Sequence, residues 1–125
     1  MLNRSLSTRK LKAACLGLTV LLAALILVLT LMPVVWPSGG MGEDKIWHFL
    51  AFAALVFPVT LAYARFWLWI ALFAIFQGGL IELIQPYVGR GREMADFIAD
   101  ILGVVAGVSA ALILRWILLR TSLLR

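Results

Sequence analysis

Four long apolar stretches alternate with short polar ones along the chain. The polar start carries Arg4, Arg9, Lys10 and Lys12, and residues 13–36 then hold no charge. That is long enough to span, since about 20 helical residues cross the roughly 30 Å hydrocarbon layer of a bilayer. A second apolar run covers 46–63 and a third 66–85, with only Ala64 and Arg65 between them, so these two are expected to form a tight helical hairpin. Pro58 lies inside the second run, where it removes a backbone donor and bends the helix, a defect that neighbouring helices absorb in a membrane. A loop is expected over 86–93 and a fourth helix over 94–119. A basic start before an apolar run also suits a signal peptide, but such apolar regions are only about 7 to 15 residues and end at a small-residue cleavage site. Here the run is longer and leads into the turn-rich Pro37, Ser38, Gly39, Gly40 and Gly42.

The expected fold is therefore all-α, an integral membrane bundle of four transmembrane helices over 13–119. A basic segment, 1–12, precedes it and a short tail, 120–125, follows. Composition agrees: of 125 residues 64% are apolar and 14% charged, more apolar surface than a water-soluble domain of this size can bury. The net charge of +5 raises the question of nucleic acid. The basic residues stand at the ends of apolar runs, without the patch of interleaved aromatics that such binding needs, so no nucleic-acid partner is expected. Cys15 is the single cysteine, which leaves no disulfide framework or cysteine metal site within one chain.

Lysine and arginine in short loops stay on the cytoplasmic side, which sets the expected topology. With a cytoplasmic N-terminus, that side holds Arg4, Arg9, Lys10, Lys12, Arg65, Arg115, Arg120 and Arg125, and the outer side only Lys45, Arg90 and Arg92. All six acidic residues, Glu43, Asp44, Glu82, Glu93, Asp96 and Asp100, then fall at the outer end. Trp36, Trp47 and Tyr87 form an outer aromatic belt, and Tyr63, Trp67, Trp69 and Trp116 an inner one. The expected location is a bacterial inner or plasma membrane, crossed several times, with both termini in the cytoplasm.

Glu82, Asp96 and Asp100 lie within the apolar runs. A carboxylate at the bilayer centre costs about 2.5–3.5 kcal/mol on insertion scales, so such residues face the bundle interior and mark a site or a pathway. At about 1.5 Å rise per residue, Glu82 sits about 6 Å beneath the Pro86 loop and Asp100 about 10 Å beneath Arg92. Residues three and four apart share a helix face. Asp96, Asp100, Gly103 and Gly107 thus form one stripe in the fourth helix, and the last two are a GxxxG pair that admits a second backbone. Gly78, Glu82 and Gln85 share a face of the third helix, and Asp44 stands one turn before His48 in the second. Three helices offer polar or small stripes at one depth, and convergence is the economical expectation.

These segments, D-K-x-x-H-F (Asp44, Lys45, His48, Phe49), E-x-x-Q (Glu82, Gln85) and R-x-x-x-D-x-x-x-D-x-x-G-x-x-x-G (Arg92, Asp96, Asp100, Gly103, Gly107), resemble the VanZ-like family of small bacterial membrane proteins. The likeness covers 43–108 and rests on order and spacing across three helices, since each piece alone is weak. It implies a cell-envelope role, in a family whose name comes from a member linked to resistance to the glycopeptide teicoplanin. Asp100 departs from the family pattern, which would place Asn there. That departure leaves Asp100 either protonated or paired with Arg92.

Each residue has a plainer reading beside its chemical one. His48 is a solvated helix-start histidine paired with Asp44, or a proton carrier whose ordinary pKa near 6.5 suits exchange at neutral pH. Glu82 is a structural hydrogen-bonding link to Gln85 or the fourth helix, or a general acid or base. Asp96 caps the fourth helix, belongs to the site, or does both. Arg90 and Arg92 are surface charges, or Arg92 is a fork for a lipid phosphate. A metal would find one histidine among carboxylates, thin for zinc, and neither a metal nor another cofactor is expected.

The leading expectation is binding of a membrane lipid or polyprenyl-linked glycan in the outer leaflet. Arg92 and Lys45 would hold anionic groups, with Asp44, Gln85 and Asp100 also lining the site. His48, Glu82 and Asp96 would be the acid–base set of a transfer or hydrolysis. A transporter or flippase subunit that relays protons is the alternative from another class, and it lacks charged stations in the inner half of the bundle. The third reading is a structural protein that forms a homo-oligomer, or docks on a larger complex, through Gly103 and Gly107.

Overall fold

The computed structural model describes residues 2–33 and 42–123. Among them run four helices, α1 (Leu2–Leu31), α2 (Glu43–Ala62), α3 (Trp67–Ile84) and α4 (Met94–Leu123), with short 3-10 turns at Ala64–Phe66 and Gln85–Val88 and no strand. Thr8–Leu31, Glu43–Ala62, Ala64–Val88 and Met94–Thr121 are each long and apolar enough to cross a bilayer. The chain is a multi-pass all-α membrane protein.

Helix boundaries follow local chemistry and shift two of the expectations. The polar start is a continuation of α1, because its lysines, arginines and leucines are good helix formers. α1 ends at Leu31, ahead of Pro33, which disfavours the α-conformation in the residue before it. Trp36, the turn residues 37–40 and Arg125 lie outside the described residues, as does the side chain of Arg4. The expected 86–93 loop opens as the 3-10 turn Gln85–Val88, closed by Gly89 at φ 80°. Pro58 is buried within α2, and the helix continues past it to Ala62.

α2 is the central element. Its buried residues include Phe52, Leu55, Val56 and Val59, and the first three share a core cluster with Val104 and Val108 of α4, Ala74 and Ile81 of α3 and Ile26 of α1. α2 and α4 start at the same end and run parallel, their contacts advancing in step. A Cβ on Gly103 would collide with the carbonyl oxygen of Phe49, and one on Gly107 with that of Ala53 and with Val56. The seam closes only because both positions lack a side chain. Lipid tails are as apolar as leucine, so close packing of this kind, rather than hydrophobic drive, holds transmembrane helices together. The GxxxG face expected to meet a second copy is occupied by α2 of the same chain.

α1 lies at the periphery, where only Thr19 and Ile26 are buried among its described side chains. Hydrogen bonds attach it: Thr19 Oγ1 donates to the Leu55 carbonyl at 3.2 Å, and Gln77 Nε2 donates to that of Ala23 at 2.8 Å. The two ends differ in charge. Lys12 lies 5.5 Å from the Tyr63 ring centroid, and Arg115 Nη1 donates to the last-turn carbonyl of Leu61 at 2.9 Å, which with Arg65 makes that end basic. The acidic residues gather at the opposite end.

Candidate functional site

At the acidic end α2 contributes Lys45 and His48 from one face, three residues apart, and α4 answers with Asp96 and Asp100, four apart. His48 Nδ1 and Asp100 Oδ1 are hydrogen-bonded at 2.8 Å, and His48 Nε2 lies 3.8 Å from Asp96 Oδ2. The imidazole thus stands between two carboxylates of the neighbouring helix. Asp100 is wholly buried and Asp96 is 8% exposed. Gly78 of α3 makes the room: a Cβ there would sit 2.8 Å from Asp100 Oδ2. Lys45 Nζ bonds Glu93 Oε2 at 3.0 Å and reaches Asp96 Oδ1 at 3.7 Å, a charged cover over the buried pair.

Glu82 brings in the third helix. It is 5% exposed, and its Oε2 accepts the backbone N–H of Glu93 at 3.0 Å. Glu93 precedes Met94, so a carboxylate from α3 satisfies a donor at the start of α4 and meets the positive end of its dipole. Arg92 Nε donates to the Glu82 carbonyl at 3.3 Å, fastening the same junction. Glu82 interacts electrostatically with Asp96, His48 and Asp100. Beside it, a cavity of about 270 Å³ lies between α3 and α4, lined by Gly79, Glu82, Leu83, Arg92, Met94 and Phe97.

Several buried acceptors are left over. Glu82 Oε1, Asp96 Oδ1, Asp100 Oδ2 and Gln85 Oε1 have no hydrogen-bond partner among the described residues. For Asp96 Oδ1 the longer ion pair with Lys45 remains. Orphaned acceptors of this kind are expensive in a low-dielectric interior, so a cluster of them at one end of a bundle calls for a ligand or proton chemistry. No group of three His, Cys, Asp or Glu side chains that could hold a metal ion occurs among the described residues.

No family model, curated protein or solved structure matches the chain.

Of the residues singled out in the sequence, His48, Glu82, Asp96 and Asp100 come together from three helices, with Lys45 above them. Others sit elsewhere. Asp44 is exposed in the first turn of α2, suited to that helix's dipole, and His48 pairs with Asp100 in its place. Asp100 likewise pairs with His48 and not with Arg92. Gln85 turns to α1, its Nε2 donating to the Thr30 carbonyl at 3.4 Å. Lys45, expected to hold anionic groups of a ligand, is committed to the protein's own Glu93 and Asp96. Asp96 is not the cap of α4: it lies in the first turn, its N–H donating to the Glu93 carbonyl at 3.0 Å. Arg90 Nη1 reaches the Leu29 carbonyl at 3.3 Å and ties the turn to α1.

Sequence reasoning placed Glu93 and Arg115 at opposite ends by charge but gave neither of them a contact. Glu93 had a signal, an acidic residue at a loop-to-helix junction. Arg115 had none, since its place under the end of α2 depends on how the helices stack.

Proposed function

We propose that this chain is a cell-envelope protein of the VanZ-like kind. It binds the head group of an envelope lipid or lipid-linked glycan at the acidic end of the bundle, and acts on it by acid–base chemistry. One observation carries the reading: His48 of α2 is held between Asp96 and Asp100 of α4, beside buried Glu82, which also lines a cavity between α3 and α4. With Asp100 ionised, His48 Nδ1–H donates to it, which leaves Nε2 to take a proton from a hydroxyl or water. Asp96 then steadies the imidazolium. The resemblance to the VanZ-like family supports an envelope role connected with glycopeptides. The basic end, with Lys12, Arg65 and Arg115, supports an orientation that turns the site away from the cytoplasm of a bacterial inner membrane.

A non-enzymatic subunit is the second reading, and it draws on the way Lys45 with Glu93 and His48 with Asp100 satisfy one another. Proton transport draws less support, because residues 49–62, 67–81 and 101–114 contain no charged side chain. The discriminating experiment expresses the wild type, His48→Ala and Asp96→Asn at equal membrane levels in a teicoplanin-susceptible bacterium. The wild type is expected to raise the inhibitory concentration and both variants to lose the effect. Full retention by both ends the acid–base reading and leaves the structural one.

A further inference from the structure

Away from the acidic cluster, a groove of about 430 Å³ lies where α1, α2 and α3 meet at the basic end. Its walls are accessible: Leu16 of α1 is 50% exposed, Phe66 of the 3-10 turn 40% and Phe73 of α3 47%. Tyr63, the residue that closes α2, and Phe66 form its mouth, their ring centroids 6.4 Å apart. Each ring carries a cation. Lys12 Nζ lies 5.5 Å from the Tyr63 centroid, and Arg65 Cζ 4.5 Å from that of Phe66. An ammonium or guanidinium over a ring face still has N–H donors directed away from the ring. Arg65 is exposed and Lys12 half-buried. Neither has a carboxylate partner among the described residues, since all six acids stand at the other end of the bundle.

Inward from that mouth the groove is apolar. Leu16 is one turn deeper than Lys12 in α1, Val59 one turn deeper than Tyr63 in α2, and Ile70 and Phe73 follow Phe66 for about 10 Å along α3. Those positions fall within the spanning stretches Thr8–Leu31, Glu43–Ala62 and Ala64–Val88, so the medium that reaches them is acyl chain. Uncompensated cations at the mouth and apolar walls running into the bilayer suit an amphiphile with an anionic head. We propose that this groove binds an anionic phospholipid of the leaflet at the basic end. Its phosphate is held at the mouth by Lys12 and Arg65, and an acyl chain lies along Leu16, Ile70 and Phe73. The volume falls within the range of about 300–1,000 Å³ typical of ligand pockets. An acidic protein segment would meet the cations but leave the inward walls without an occupant. The site stands at the opposite end from His48 and does not depend on what that end does.

The test is native mass spectrometry of the full chain released from micelles holding equimolar phosphatidylglycerol and phosphatidylcholine with identical chains. The wild type is expected to retain the anionic lipid preferentially. Lys12→Gln and Arg65→Gln should each reduce that preference by roughly tenfold, the loss of one hydrogen bond between charged groups. Lys10→Gln and Arg120→Gln remove the same charge away from the groove and should leave the preference at its wild-type value. Leu16→Trp keeps every charge, fills the groove from an exposed position and should lower retention of the anionic lipid. Equal retention of the two lipids by the wild type overturns the proposal and leaves the cations to an acidic protein partner. That comparison needs no variant, so misfolding cannot hide the answer. An equal loss of preference in all four charge variants also overturns it, because diffuse attraction to the basic end would then replace a site. Undiminished retention in Leu16→Trp does the same.

Discussion

Replacing Gly103 with alanine puts a methyl group where the Phe49 carbonyl oxygen already lies. Real Cβ atoms essentially never come within 3.0 Å of another heavy atom, and the obstacle is backbone, which cannot swing aside as the end of a side chain can. α2 and α4 must part. A gap of about 0.5–1 Å forfeits roughly a quarter to a half of each dispersion contact across the seam. Overpacking of this kind costs about 1–3 kcal/mol. Alanine also raises helix propensity by about 1 kcal/mol over glycine, so a control that shares this gain is needed. Gly17 of α1 supplies it, since a Cβ there meets nothing within 4 Å. Unfolding of both variants by sodium dodecyl sulfate in mixed micelles, followed by tryptophan fluorescence, should place Gly103→Ala below Gly17→Ala by about 1–3 kcal/mol. Agreement of the two within about 0.5 kcal/mol, the usual scatter of surface substitutions, refutes the close α2–α4 seam. The consequence reaches the site, because Phe49 adjoins His48 and parting the seam stretches the 2.8 Å bond to Asp100.

Two further outcomes are expected. Gly78→Ala should push the Asp100 carboxylate out of line and change the imidazole nitrogen shifts of His48, the only histidine, in ¹⁵N NMR; unchanged shifts mean that Gly78 does not make room for the pair. Arg115→Ala should remove the donor to the Leu61 carbonyl, cost about 1 kcal/mol and speed hydrogen exchange at the Tyr63 amide, which closes the last turn of α2 onto Val59. Exchange at the wild-type rate argues against the cap.

Periodicity and charge cost made much of this protein readable in one dimension. Four apolar runs of spanning length state their own helices, because in a lipid solvent a segment of this length satisfies its own backbone as a helix. Glu82, Asp96 and Asp100 declared themselves in the same manner, since a carboxylate in an apolar run must find company. The stripe Asp96, Asp100, Gly103 and Gly107 was also legible, because the helical repeat alone puts those four residues on one face.

What the stripe faces was decided only by the tertiary structure. Gly103 and Gly107 admit a backbone, and nothing in their spacing distinguishes α2 of the same chain from a second copy. The choice of partner followed the same logic. Asp44 precedes His48 by one turn, a local candidate, but the pairing went to Asp100, fifty-two residues away, because the parallel α2–α4 seam brings α4 within 2.8 Å of the imidazole. Lys45 turned from a presumed ligand contact into a partner of Glu93 for the same reason. Sequence spacing specifies which side chains share a face, whereas the close approach of helix backbones, set by two missing side chains, specifies which faces meet.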